Sequence, residues 1–144
     1  ESNMFVTLIV GILDLETGKL KLCNAGHNPP ILIRPDGQVS FLEFKTQIFV
    51  GVIEEFAYTE DETTLEKGSK LFLYTDGVTE AENINKELYG EEKLLEMLSD
   101  NASSDVRTTV NVVVDSIASH VKEAEASDDL TILLIQYEPG TANS

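Results

Sequence analysis

The sequence predicts an α+β fold, and three observations support that prediction. The first half of the chain carries short apolar runs separated by turn residues, which is typical of antiparallel strands. After Val78 the hydrophobic period becomes helical. A last apolar run over 130–135 then predicts a buried closing strand. With 144 residues the chain is long enough for one domain with its own core.

Strands are predicted where apolar residues run together or alternate between turn signals. Pro35-Asp36-Gly37 predicts a tight hairpin turn, since it supplies both a fixed φ and a positive φ. The run over 4–13 has the composition of a strand buried on both faces. The other predicted strands cover 20–25, 31–34, 38–43, 56–65, the last of these acidic and exposed, and 70–74.

Two helices are predicted in the second half of the chain. Leucines in a Glu/Lys-rich segment favour a helix over 91–98. Apolar residues at helical spacing favour another over 104–122, with Ser103 or Ser104 as its N-cap. His120 falls at the far end of this second helix, where we expect it to face solvent.

Charge and cysteine content exclude several classes of function. Asp and Glu number 26 against 10 Lys and Arg, a net charge of −16, which disfavours nucleic acid and anionic membranes but not divalent cations. The single cysteine, Cys23, excludes a disulfide framework and a four-cysteine zinc site, and is expected to pack in the core in a reducing, cytoplasmic setting. No apolar run is long enough to span a bilayer. Because the chain begins directly at a strand, we expect it to be a piece of a longer protein.

Two acidic points at strand ends are the candidate site. Asp76-Gly77 follows the strand over 70–74, and Asp128-Asp129 precedes the closing strand. Carboxylates at the ends of neighbouring strands can converge on a Mg²⁺ or Mn²⁺ ion, and glycine after Asp lets the backbone approach it. The alternative is that Asp-Gly is an ordinary turn and Asp-Asp an ordinary connector.

Other reactive motifs are weaker. There is no Gly-x-Ser-x-Gly elbow and no phosphate-binding loop of the Gly-rich, Lys-Ser/Thr type, so acyl transfer and P-loop chemistry lack their parts. His27 in the Gly-His-Asn-Pro-Pro loop is interpreted as a loop-ordering side chain rather than a catalytic base.

Five ordered blocks resemble the C-terminal part of a SpoIIE/RsbU-type domain, the bacterial branch of the PPM metal-dependent serine/threonine phosphatases. The resemblance covers about residues 3–137. The blocks are Met4-Phe5-Val6-Thr7-Leu8, 24–30, 73–81, 89–94 and Asp128-Asp129-Leu130-Thr131.

This resemblance implies an α-β-β-α sandwich of two mainly antiparallel sheets flanked by helices, truncated at its N-terminus. Residues 1–138 would be the C-terminal portion of the domain and 139–144 a disordered tail. The family holds two Mn²⁺ or Mg²⁺ ions between the sheets. By the same resemblance Asp76 and Asp128 are catalytic metal ligands, Asp129 supports Asp128 in the metal set, and Gly77 is the backbone close to the ions.

The implied function is dephosphorylation of a phosphoserine or phosphothreonine protein, namely a STAS-type anti-sigma-factor antagonist in a sigma-factor switch. The family's first metal blocks are absent from these residues, and 47–52 departs from the family's usual loop. The alternative is therefore a non-catalytic protein-binding module with an incomplete metal site. A simple cation buffer is disfavoured, since the Asp-x-Asp-x-Asp-Gly calcium loop is missing. Truncation should leave Phe5, Leu8 and Ile12 without partners and permit a homodimer.

Overall fold

A computed structural model describes residues 4–122, 124 and 129–139 of the chain. These residues form two four-stranded sheets and three helices, so the α+β prediction is confirmed. The strands are β1 (Leu8–Leu13), β2 (Lys19–Ala25), β3 (Ile31–Ile33), β4 (Val39–Phe41), β5 (Thr46–Gln47), β6 (Asp61–Thr64), β7 (Lys70–Tyr74) and β8 (Ile132–Gln136). The helices are α1 (Asp76–Thr79), α2 (Glu91–Asp100) and α3 (Val106–Val121).

The first sheet is built around β2. On one side β2 pairs antiparallel with β1, and on the other it pairs antiparallel with β6 and, at its end, parallel with β5. The turn between β1 and β2 is held by Asp14, whose carboxylate accepts the backbone N–H groups of Glu16 and Thr17 at 2.9 and 3.0 Å. Gly18 ends this turn at a φ of +75°, where an added Cβ would lie 2.4 Å from the Leu65 carbonyl oxygen. Only glycine fits that position.

The second sheet is antiparallel throughout, in the order β4-β3-β7-β8. The predicted hairpin between β3 and β4 is confirmed, with the Arg34 N–H donating to the Gln38 carbonyl at 2.8 Å. Along each strand of this sheet, alternate residues point to opposite faces. Leu32 and Leu71 therefore face the first sheet, whereas Ile31 and Phe72 face the helices.

Two apolar cores lie on either side of the second sheet. The buried residues between the sheets are Leu20, Leu22, Leu32, Leu42, Leu65, Leu71 and Tyr137. On the opposite face, α2 and α3 pack against the second sheet through Leu94, Leu98, Val113 and Ile117, each at most 4% exposed. This second core supports the end of β7, where the candidate site begins.

The start of α3 differs from the prediction. Its N-cap is Asp105, whose carboxylate accepts the Thr108 N–H at 3.0 Å, and not Ser103 or Ser104. Hydrogen bonds from Thr108 also lower the pKa of Asp105. The carbonyl of Ser104 instead accepts a hydrogen bond from the Lys70 ammonium. Asp105 is therefore the first side chain able to satisfy the N-terminal amides of α3.

The first strand is shorter and less buried than predicted. β1 is an edge strand whose outer face exposes 45% of Leu8, 53% of Val10 and 68% of Ile12. Within the described residues helices cover only the second sheet, so this face of the first sheet has no layer over it. Leu8 and Ile12 are uncovered as expected. Phe5 is not partnerless, because its ring lies 4.9 Å from that of Phe49.

A gap of about 180 Å³ also opens between the sheets at their free edges, along β1 and β8. Leu133 and Ile135 face this gap and are 53% and 42% exposed. None of the helices in the described part of the chain is long and apolar enough to cross a bilayer. Of the predicted tail over 139–144, only Pro139 lies within the described residues.

We expect the uncovered outer face of β1 to drive self-association of the 144-residue chain. Apolar surface of this kind favours a dimer, while the net charge of −16 opposes it, so the dimer fraction should rise as salt screens the repulsion. Sedimentation velocity across a NaCl series measures this. Ile12→Lys should shift the chain towards monomer, whereas Ile84→Lys, at a 70% exposed site elsewhere, should not. A monomer at all salt concentrations would contradict the expectation.

Candidate metal centre

Thr75 joins the two strands that carry the predicted acidic residues. Pairing between β7 and β8 ends at Tyr74 and Ile132, and Thr75 continues it, since its N–H donates to the Thr131 carbonyl at 3.1 Å. Its hydroxyl accepts the Thr131 N–H at 3.2 Å and donates to the Asp129 carbonyl at 3.3 Å. The backbone of Asp129 is thereby held against the residue that precedes Asp76.

Asp76 is the first residue of α1 and is exposed at the end of β7. Its carboxylate accepts the N–H of Gly77 at 3.0 Å, and its carbonyl accepts the N–H of Glu80 at 2.7 Å. Gly77 and Val78 are buried beneath it. The short helix therefore fixes the Asp76 backbone while leaving the carboxylate accessible, as a metal ligand requires.

The two predicted acidic residues of the last block differ in what the structure describes. Asp129 is exposed just before β8, and Asp128 lies outside the described residues. Within residues 4–122, 124 and 129–139 no group of three His, Cys, Asp or Glu side chains could hold a metal ion. The described acidic side chains at these strand ends are those of Asp76 and Asp129, and carboxylate oxygens are of the chemistry that Mg²⁺ and Mn²⁺ prefer.

The loop after β2 is ordered by Asn24, which is 1% exposed. The Asn24 side chain accepts the His27 N–H at 2.8 Å and donates to the His27 carbonyl at 2.9 Å. The imidazole Nδ1 of His27 lies 3.1 Å from the Thr7 hydroxyl oxygen. His27 therefore joins two segments of the chain, in agreement with its structural interpretation, and Asn24 does most of the ordering.

Glycine is required at the start of the same loop. Gly26 has a φ of +76°, and an added Cβ would lie 2.2 Å from a ring carbon of Phe49. The aromatic ring of Phe49 can pack against this loop only because position 26 has no side chain.

Tyr74 lies directly before Thr75 and is buried among the helices. Burial, with a contribution from the nearby Glu91 carboxylate, raises the pKa of Tyr74 to about 12, and the Asn28 side chain opposes the shift. The hydroxyl has no partner with hydrogen-bond geometry among the described residues. The phenol therefore stays protonated at neutral pH and does not act as a base.

The sequence predicts Asp76, Gly77 and Asp129 as site residues, but it predicts neither the hydrogen bonds of Thr75 nor helix α1. A threonine at a strand end is common, and a four-residue helix is too short to show a period. The prediction that His120 faces solvent is wrong. Its Nε2 lies 2.9 Å from the Glu87 carbonyl oxygen, and its ring packs edge-on against Tyr89.

The chain matches a family model and curated relatives over nearly all of its length. The model for Stage II sporulation protein E (SpoIIE) matches residues 1–138. Protein IcfG of Synechocystis sp. is 31% identical over 132 residues, which are 92% of this chain and 20% of that protein. Phosphoserine phosphatase RsbU of Bacillus subtilis is 24% identical over 137 residues, which are 94% of this chain and 40% of that protein. The chain thus spans well under half of either relative.

Solved structures share the fold. The RsbU and RsbW domains of Rv1364c from Mycobacterium tuberculosis align with a TM-score of 0.73 and 24% identity, over 94% of this chain and 37% of that one. The phosphatase domain of SpoIIE from Bacillus subtilis aligns with a TM-score of 0.71 and 18% identity, over 94% of this chain and 58% of that one. At these identities the likeness establishes the architecture alone.

Alkaline pH should destabilise the folded chain through Tyr74. Its pKa is raised from about 10 to about 12 on folding, so stability that is fully present below pH 10 is lost as pH rises towards 12. The loss should be about 2 kcal/mol at pH 12 and should approach about 3 kcal/mol above that pH, since the two pKa units are worth roughly 1.4 kcal/mol each. Urea titrations between pH 9 and 12 measure it.

Tyr74→Phe should remove most of that loss and change stability little at pH 7, since the hydroxyl has no partner to lose. The loss that remains would come from Tyr89, whose pKa burial also raises. Tyr58→Phe, at a partly exposed ring, is the control and should behave as wild type. An unchanged pH profile for Tyr74→Phe would contradict the assignment.

Proposed function

Because this chain belongs to the SpoIIE family, we propose that it is part of a metal-dependent protein serine/threonine phosphatase. The observation that carries the proposal is the Thr75 hydroxyl, which holds the Asp129 backbone beside the strand end that presents Asp76. In this proposal residues 1–138 are the C-terminal portion of a phosphatase domain. The matched relatives extend well beyond this chain, so the remaining donors are proposed to come from elsewhere in the intact protein.

We assign the metal-binding roles as follows. Asp76 and Asp128 would each hold Mn²⁺ or Mg²⁺ through a carboxylate oxygen, Asp129 would support Asp128 from the adjacent position, and Gly77 would keep the backbone close and unobstructed. A pair of such ions supplies an activated water and offsets charge on the phosphoryl oxygens. The chain's own contribution is position: α1 fixes Asp76, and Thr75 fixes the start of β8.

The proposed substrate is a phosphoserine or phosphothreonine protein, with a STAS-type anti-sigma-factor antagonist in a cytoplasmic sigma-factor switch as the leading candidate. RsbU, a relative at 24% identity, is named a phosphoserine phosphatase. The second candidate function is a protein-binding module of the same fold without catalysis. It is favoured by one observation, that the described residues contain no group of three potential ligands.

In the full-length protein that contains this chain, Asp76→Asn and Asp128→Asn should each lower Mn²⁺-dependent phosphatase activity at least about a hundredfold. Each removes a charged oxygen from a two-metal centre. Phosphate release from a phosphoserine protein is the measurement. Asp129→Asn should cost no more than about tenfold, as expected for a supporting residue.

Asp100→Asn, at the exposed end of α2, is the matched control and should leave turnover unchanged. Near-wild-type turnover in Asp76→Asn would overturn the metal assignment. A more severe effect of Asp129→Asn than of Asp128→Asn would exchange the roles of those two residues.

The 144-residue chain by itself should show little or no phosphatase activity and only weak Mn²⁺ binding. The proposed ligands Asp76 and Asp128 leave most positions around each ion to water, which suffices for loose occupancy of one site but not for a bridged pair. Calorimetric titration with MnCl₂ should give a weak isotherm, abolished by Asp76→Asn. A tight two-ion isotherm would contradict this expectation and favour a complete site within the chain.

A further inference from the structure

A pocket that we call the cationic pocket lies away from the strand ends of the candidate metal centre, between three segments of the chain. It has a volume of about 350 Å³, within the range of small-molecule sites. Its walls are the loop at Asn83 and Asn85, the first turn of α2 at Lys93, and the end of α3 at His120 and Lys122.

The pocket gathers cationic side chains in a strongly acidic chain. The ion pairs among the described residues involve Lys19, Lys21 and Lys86, so neither Lys93 nor Lys122 has a carboxylate partner there. Lys93 is only partly exposed, and its ammonium lies 4.9 Å from the centre of the Tyr89 ring. An ammonium group without a carboxylate partner is available to an external anion.

The imidazole of His120 is oriented so that it supports this ammonium. Its Nε2 lies 2.9 Å from the Glu87 carbonyl oxygen, which can only accept, so Nε2 carries the proton. In the neutral ring the lone pair on Nδ1 then faces the Lys93 ammonium, 3.5 Å away. His120 thereby holds Lys93 in place without neutralising its charge.

Two acidic side chains of the loop that forms one wall of the pocket, Glu82 and Glu87, are engaged within that loop. The carboxylate of Glu87 accepts a hydrogen bond from the Asn83 amide at 2.7 Å, and Glu82 pairs with Lys86 at 2.8 Å. The Asn83 carbonyl oxygen of the same amide accepts the N–H groups of Asn85 and Glu87, which fixes the loop. The loop wall is thus ordered before any ligand arrives.

Helix-dipole effects explain only part of the cluster. Cations at the C-terminus of a helix are favourable, and this accounts for Lys122 at the end of α3. Lys93 lies in the first turn of α2, where the dipole disfavours a cation. Its position is therefore not explained by helix stability.

We propose that this pocket binds a compact oxyanion, a phosphate group, through the ammonium groups of Lys93 and Lys122 and the Asn85 amide. A small molecule and a phosphorylated side chain both present the same charged oxygens, so either can carry the phosphate. The site is separate from Asp76 and needs no metal, so it does not depend on the proposed phosphatase activity.

The test is an NMR titration of the ¹⁵N-labelled 144-residue chain with inorganic phosphate, with EDTA present and ionic strength held constant with NaCl. EDTA removes any route through a metal ion. Saturable shifts should concentrate at the amides of Asn85, Lys93 and His120. A parallel titration with a short phosphoserine peptide distinguishes the sources: the same shifts assign the group to a polypeptide, and shifts with phosphate alone assign it to a small molecule.

Lys93→Gln and Lys122→Gln should each weaken phosphate binding about tenfold, the scale of one charge-assisted contact. Lys93→Arg should retain binding because it keeps the charge. Lys67→Gln, in the exposed turn between β6 and β7, makes the same change of charge outside the pocket and should bind as wild type. The spectra of the free variants report whether each is folded. No saturable shift at the pocket with either probe, or equal affinity in Lys93→Gln and Lys67→Gln, would overturn the proposal.

Discussion

The Thr75 hydroxyl is the interaction on which the candidate metal centre depends. Main-chain bonds alone would leave the segment before β8 free to diverge from β7 beyond Thr75 and Thr131. By accepting one hydrogen bond and donating another, Thr75 continues the pairing through a side chain. Valine has the same branched shape but neither of these hydrogen-bonding abilities. The Thr75 hydroxyl therefore adds two side-chain hydrogen bonds to the main-chain bond between Thr75 and Thr131, and together they hold the Asp129 backbone near the Asp76 end of β7.

Most of the second sheet could be predicted because its sequence signals are local. Pro35-Asp36-Gly37 sets the hairpin, and alternation in β7 separates Leu71, towards the first sheet, from Phe72, towards the helices. The predicted N-cap of α3 was wrong because serine and aspartate have similar N-cap propensities. Tertiary contacts decide between them. Lys70, which is 5% exposed, donates to the carbonyls of Ala102 and Ser104 in the segment before the helix, and α3 begins at Val106, two residues after the predicted start.

The first strand shows what a sequence pattern cannot contain. An apolar run predicts that a strand is buried but does not identify the layers that cover it. Here the described residues cover only the inner face of β1, which packs on the core between the sheets. The outer face of β1 continues across β2 into a charged half, where Lys19 pairs with Glu62 at 2.8 Å and Lys21 with Glu60 at 2.5 Å. This face is therefore apolar at the sheet edge and ionic at its centre. A layer that covers this face would therefore need to pack on the apolar edge at β1 rather than on the ionic centre of the sheet.

The position of Asp76 is set by packing beyond its own helix. Four residues cannot form a stable helix alone, because nucleation costs more than one turn returns. α1 is held instead by Val78, which is 0% exposed, and by the chain that follows. The N–H of Tyr89 donates to the Ala81 carbonyl at 2.8 Å, and that of Gly90 donates to the Thr79 carbonyl at 2.9 Å. These bonds join the loop over 82–88 and the start of α2 directly to α1. The same loop forms one wall of the cationic pocket. The candidate metal centre and the cationic pocket are therefore both supported by this loop.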